Sequence, residues 1–401
     1  MTRIRARLIA LLLLAVLPQA AGAETLRVAT YDVDLTRKGA GVLLHDLGRE
    51  PDAGLAAVLA VIRAARPDVL LLTSFDHDLR GRALAAFLDL LRQGPEGIDY
   101  PHVFDGPVNA GEVSGLDLDG DGMLMGWGDG WGWGKFPGNG GMALVSRLPL
   151  DAEAARSFRM LRWADLPGAE LPTTPEGTPW PDAGAQAAFR LSSRSHWDVP
   201  VILPDGGRLH LLASNPTPPL FDGPEMANRL RHRDELRFWA LYLDGEAFAD
   251  DQGRVAPAAA APVVVLGNLN ADPEDGAGLD GAIGQLLSHP RLRDPRPRSE
   301  GAVAAAAAQG GANLRQKGAP ATDTADWRDD GGPGNLRVDY VLPDAALTIA
   351  GAGVFWPAPE AALAGTVAAG PSHRLVWADV VLPEAEPATS AAKTASAELG
   401  R

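Results

Sequence analysis

Short apolar runs alternate along this chain with segments of helical periodicity. That alternation confines it to a layered α/β architecture. The tightest run, Val263-Val264-Val265-Leu266, has the pattern of a buried strand; it stops at Gly267 and continues as Asn268-Leu269-Asn270. Residues 26–33 and 68–75 read as two further strands. Between them, residues 54–66 set Leu55, Val58, Leu59 and Ile62 at helical spacing, and Pro67 closes that helix because it cannot continue the hydrogen-bond ladder. Residues 81–92 are again helical, further strands are expected at 142–146, 208–214, 262–266, 337–342 and 374–382, and an amphipathic helix covers 228–243. No internal repeat is present, so residues 24–383 are expected to form one large domain.

Three stretches break this pattern. Residues 106–141 are rich in glycine, aspartate and tryptophan and read as a long surface loop. Residues 301–334 hold an alanine run among small and polar residues and read as a partly disordered insertion. Residues 384–401 form a low-complexity, disordered tail.

The first 23 residues have the form of an export signal: Arg3, Arg5 and Arg7 precede an apolar run over 8–17, and Ala21-Gly22-Ala23 is a small-residue cleavage site. The run is too short to span a bilayer, so the protein is expected to be exported to a periplasm or beyond, without a membrane span. With no cysteine, the chain can form neither a disulfide nor a thiolate metal site. A formal net charge of -15 excludes a general nucleic-acid-binding face, which would need a basic surface. It leaves room for a narrow pocket that takes one phosphate-ester small molecule or a nucleic-acid fragment.

A set of segments spread through the chain carries a family resemblance. They include Ala29-Thr30-Tyr31-Asp32-Val33, Arg66-Pro67-Asp68-Val69, Phe75-Asp76, Gly141-Met142-Ala143-Leu144 and Ser195-His196-Trp197-Asp198-Val199-Pro200. Pro216-Thr217-Pro218-Pro219, Gly267-Asn268-Leu269-Asn270, Arg337-Val338-Asp339-Tyr340 and His373-Arg374-Leu375-Val376-Trp377 complete the series. In order and spread they resemble the endonuclease/exonuclease/phosphatase superfamily, with its DNase I-like fold, and more narrowly its exported bacterial branch. The resemblance implies a four-layered α/β sandwich, two packed mixed sheets flanked by helices, with a site at the strand ends between the sheets. It also implies Mg²⁺-assisted attack of water on phosphorus, which needs carboxylate ligands for a hard cation, a His–Asp pair and an acid that polarises water.

At the implied site positions this sequence departs from the pattern. The first strand offers Asp32 where an amide is implied, and the second offers Ser74 in place of the metal-binding glutamate. Asn215 stands at the implied histidine, Asn268 at the water-activating acid and Ser372 at the acid before the terminal histidine. Asn270, Asp339 and its partner His373 are retained. On this reading hydrolysis is weak or lost. Two alternatives stay open: a relocated Mg²⁺ site built on Asp32 with Asp76 or Asp34, or a pocket that holds an anionic ester or a partner protein without cleaving anything.

Two features lie outside this site. Asp117, Asp119 and Asp121 alternate before Gly122 with the spacing of a calcium loop, but the position of the closing glutamate falls on Gly128, and Asp129 is one residue late. Either Ca²⁺ binds here or the turn is simply acidic and solvated. Trp127, Trp131 and Trp133 sit among glycines, where indoles stack on bases or sugars, dip into an interface, or fold back over the core. His196, beside Trp197 and Asp198, is expected to support the following strand.

Overall fold

The computed structural model of the protein describes residues 25–382. The export signal expected over 1–23 and the tail expected over 384–401 lie outside the described residues, as do both end residues of the expected domain, 24 and 383.

Eleven strands build two mixed sheets: β1 (Thr25–Leu35), β2 (Val69–Phe75), β3 (His102–Phe104), β4 (Gly141–Ser146), β5 (Arg156–Ser157), β6 (His196–Ile202), β7 (Arg208–Ser214), β8 (Val263–Asn268), β9 (Asp339–Pro343), β10 (Thr348–Val354) and β11 (Val376–Val381). The first sheet runs in the order β10-β11-β1-β2-β4-β3 and the second β9-β8-β7-β6-β5. The pairs β1–β2 and β7–β8 are parallel, and the other pairs within these sheets are antiparallel.

The apolar runs are continuous because both faces of these strands are covered. In β8, Val264 and Leu266 face the core between the sheets, while Val263 and Val265 pack under the helix Ala227–Leu243. In β2, Val69 and Leu71 face that same inter-sheet core, and Leu70 and Leu72 pack with the helices Ala53–Ala65 and Arg82–Arg92. Period-two alternation thus sends successive residues into two different cores, which gives the four layers expected of the sequence. Helix boundaries follow local chemistry. Asp52 caps Ala53–Ala65 by accepting from the N–H of Leu55 at 2.8 Å, and Arg66 ends the helix in a left-handed conformation just before Pro67.

The segment 301–334 departs from expectation. Nearly all of the helix Glu300–Gln309, capped by Ser299, lies in it, and so does the short strand Ala325–Asp326, which pairs with Asn335–Leu336 just beyond it. Alanine is the strongest helix former, so the run folds once Ala302 and Ala306 find apolar partners. Among the described residues no helix is long and apolar enough to cross a membrane.

Candidate functional site

The ends of β1, β2, β7 and β8 and the turn before β11 meet around a cavity of about 260 Å³. Asp32, Ser74, Asn215, Asn268, Asn270, Ser372 and His373 all line it, and Asp339 stands behind His373. Eight residues spread over most of the sequence are therefore brought together at one cavity.

Asp32 is the hub of the floor. Its Oδ2 accepts from Ser74 Oγ at 2.7 Å, Asn268 Nδ2 at 3.0 Å and Thr73 Oγ1 at 3.1 Å. Two of these donors come from β2 because the register slips between Thr73 and Phe75, and Ser74 takes a positive φ of 52°. The third crosses from the other sheet. Burial alone would raise the carboxyl, but the charge of His373 and the three donors hold it below its ordinary value.

Asn268 reaches this position through Gly267, whose φ is +153° and where a Cβ would fall 1.9 Å from the carbonyl of Ser214. No other residue type fits so close to the end of β7. Both ends of the Asn268 amide are used, since its Oδ1 accepts the backbone N–H of Asn270 at 3.0 Å. Asn270, also at positive φ, donates from Nδ2 to the carbonyl of Pro216 at 2.9 Å.

His373 and Asp339 form the expected pair, Nδ1 to Oδ2, at 2.9 Å. Thr324 Oγ1 donates to the same Oδ2 at 2.8 Å and accepts the backbone N–H groups of Val338 and Asp339. Burial works against the charged imidazole, but Asp339 and then Asp32 outweigh it, and the His373 pKa is raised to about 9. The ring is a cation at neutral pH. Trp327 stands edge-on to it, with centroids 5.2 Å apart, and completes that wall of the cavity. Both Thr324 and Trp327 come from the segment read as a partly disordered insertion; a backbone bridge from Ala325 to His373 places them.

The sequence reading also missed Arg194, which lines the cavity. Its Nε donates to the carbonyl of Gly140 at 2.9 Å. The turn that carries it is fixed by Glu235, on the helix Ala227–Leu243. This carboxylate is 1% exposed and accepts from the backbone and hydroxyl of Ser193 and from the N–H of Thr217. Nothing in the sequence around Glu235 shows that it anchors two rims of a pocket. His196 is structural as expected: it bonds Ser192 and the carbonyl of Glu235, and burial lowers its pKa to about 4.

Two expected ligands are elsewhere. Asp76 does not line the cavity, because the slip at Ser74 turns the chain; its carboxylate accepts from the N–H of Arg37, the N–H of Gly140 and Asn139 Nδ2. Asp121 bends outward and accepts the N–H of Met123. The carboxylates that converge are Asp117, Asp119 and Asp129, with ligand oxygens all within 4.8 Å of one another, a group that could hold a metal ion. Of the loop tryptophans, Trp127 and Trp133 are 57% and 53% exposed, and Trp131 packs against the outer core of the second sheet.

Does the cavity fit the Mg²⁺ that the resemblance implies? Mg²⁺ takes oxygen ligands in near-octahedral geometry. Here Oδ2 of Asp32 already accepts three hydrogen bonds, Asn268 is engaged at both ends, and His373 and Arg194 face the cavity as cations. Asp34 is the second carboxylate on the lining, and among the described residues no trio of acidic or histidine ligand atoms converges there. The donor set does not fit the ion.

The chain matches the model of the Endonuclease/Exonuclease/phosphatase family over residues 43–372. Among solved structures, an endonuclease/exonuclease/phosphatase from Beutenbergia cavernae is similar at 19% identity and a TM-score of 0.51, over 89% of this chain and 72% of that one. A family protein from Bacteroides thetaiotaomicron is similar at 10% identity and a TM-score of 0.47, over 90% of this chain and 97% of that one. Among curated proteins, none matches the chain in sequence. The two-sheet sandwich, the cleft at its strand ends and the family match over residues 43–372 together make this chain a member of the endonuclease/exonuclease/phosphatase family.

Proposed function

We propose that the protein is an exported phosphate-ester-binding member of this family, in which metal-assisted hydrolysis is weak or lost. The observation that carries this reading is the bond from Asn268 Nδ2 to Asp32 Oδ2. The family pattern puts the amide at the first position and the acid at the second; here they are exchanged across one hydrogen bond. Asp32 is a poor substitute for the missing base. Its Oδ2 is filled by three donors and its pKa is lowered, so it has little tendency to take a proton from water. Removing a general base commonly costs roughly 10²–10⁴ in rate.

What remains suits binding. His373 as a cation, the guanidinium of Arg194 and the Asn215 amide can donate to phosphoryl oxygens. Arg194 and His373 also offset Asp32 and Asp34, so the cavity can take an ester anion without a metal.

The test is calorimetry with inorganic phosphate, with and without a chelator, beside a generic phosphodiester assay in Mg²⁺. Phosphate binding that survives the chelator, with turnover far below that of an intact family member, is expected. Robust Mg²⁺-dependent cleavage abolished by Asp32→Ala would overturn the reading.

A further inference from the structure

A second pocket, of about 490 Å³, shares Arg194 with the first. Arg37, Lys38 and Lys135 line it, together with Trp133. The sequence has four lysines, Lys38, Lys135, Lys317 and Lys393, and in a chain of net charge -15 two of the four face this one space. Among the described residues neither Lys38 nor Lys135 forms a salt bridge, whereas Arg37 is paired with Asp46 at 2.8 Å. In the first pocket the two cations are offset by Asp32 and Asp34; positive charge without a carboxylate partner is found next door.

This second pocket is also held in shape. Asp76 pins two of its segments, accepting from the N–H groups of Arg37 and Gly140 and from Asn139, while Arg194 Nε ties a third to the carbonyl of Gly140. Asn139 Oδ1 accepts the N–H of Lys135 at 3.1 Å. Lys135 Nζ lies 5.6 Å from the centroid of Trp127, which meets Trp133 edge-to-face at 6.0 Å. Ordering costs on binding are lower when the backbone around the cations is already fixed.

We propose that the two pockets hold one small organic ligand with two phosphoryl groups, bridged by Arg194, and that Lys38 and Lys135 take the second group while Trp133 packs against the organic part. The inference rests on the first pocket taking a phosphoryl group, as proposed above. A planar guanidinium can donate to both groups at once, while lysine ammoniums act as point charges on the outer one.

The experiment is calorimetry on the full chain with inorganic phosphate, pyrophosphate and tripolyphosphate. It compares the unmodified protein, the Lys38→Gln/Lys135→Gln double variant and, as a charge control, Lys317→Gln. Tripolyphosphate or pyrophosphate should bind at least roughly tenfold more tightly than phosphate, a difference of about 1.4 kcal/mol. The double variant should bring that ratio close to one, and Lys317→Gln should leave it intact. The lysines are exposed, so the double variant is expected to fold, and an unchanged melting curve verifies it. If phosphate binds but the longer anions bind no better, or the preference survives the double variant or falls equally in the control, the second subsite is overturned and the first pocket stands. If no phosphate binds at all, both readings fall.

Discussion

The floor of the cavity and the loop around Asp129 are both built on carboxylates, and they neutralise them differently. On the floor the partners come from distant parts of the chain: Asp32 is met by Thr73, Ser74 and Asn268, and Asp339 by Thr324 and His373. In the loop the donors are nearby backbone N–H groups. Asp117 accepts from Gly120 and Gly122, Asp119 from Asp121, and Asp129 from Leu118 and Gly126. The floor therefore acquires buried cations and amides only when the two sheets close. The loop gathers like charges with no cationic side chain among them; burial first, and then Asp121, Asp129 and Asp117, raise the Asp119 carboxyl. A divalent cation added from solution should find work in the loop and little at the floor.

The largest effect that would test this contrast is on folding. His373→Ala leaves Asp339 buried, 0% exposed, without its cation, and should cost about 3–5 kcal/mol in urea denaturation. Asp121→Ala, on the exposed side of the loop, should cost less than about 0.5 kcal/mol. Similar losses in the two variants would break the comparison.

The pH dependence sharpens it. The folded-state pKa of His373, about 9, lies above its ordinary value of 6.5, so its contribution is complete below that lower value and is lost as pH rises through about 9. A shift of this size corresponds to about 3 kcal/mol. Stability should fall between pH 6.5 and 9 in the unmodified protein, and His373→Gln should flatten that limb. An equally steep fall in the variant would assign the loss to another group.

Next in size is a gain of function. Combining Asp32→Asn, Asn268→Asp and Ser74→Glu restores the acid and amide to the family arrangement and adds a metal-binding carboxylate. Mg²⁺-dependent turnover on a generic phosphodiester should rise by at least roughly 10². No gain in a variant that still melts cooperatively would show that the floor is not what limits catalysis.

The smallest effect belongs to the loop. Calcium should bind only near the millimolar range, as in extracellular modules, because the set holds three carboxylates and no bidentate glutamate. Tenfold excess over that Kd would add about 1.4 kcal/mol of stability. Fluorescence of the exposed Trp127 and Trp133 is the readout, and Asp119→Ala should abolish it while Asp121→Ala should not. A response lost in the second variant alone would restore the original calcium-loop spacing.

Much of the fold was legible in the sequence because strand and helix periods are local. The helix expected over 228–243 forms as Ala227–Leu243, and the strand expected over 208–214 forms as Arg208–Ser214. β10 was not anticipated: Thr348-Ile349-Ala350-Gly351-Ala352-Gly353-Val354 is too small and glycine-rich to declare itself, and Gly353 is required where a Cβ would meet the Trp377 ring at 2.8 Å. The Asp339–His373 pair was legible through the motifs on either side of it. Arg194 was not, since an arginine in an acidic chain reads as surface, and only Glu235 beneath its turn explains its place.

The sequence by itself determined which residues alternate into the two faces of each strand, where the apolar run of β8 ends at Gly267, and which side chains stand at the strand ends. It could do so because those properties depend on neighbours a few positions away. The tertiary structure alone decided what each of those side chains meets. Asn268 reaches Asp32 across 236 positions, Trp327 arrives from a segment with no pattern of its own, and the slip at Ser74 sends Asp76 away from the cavity to brace a second one. Those outcomes depend on how two sheets approach and on a one-residue change of register, and periodicity along one strand carries no information about either.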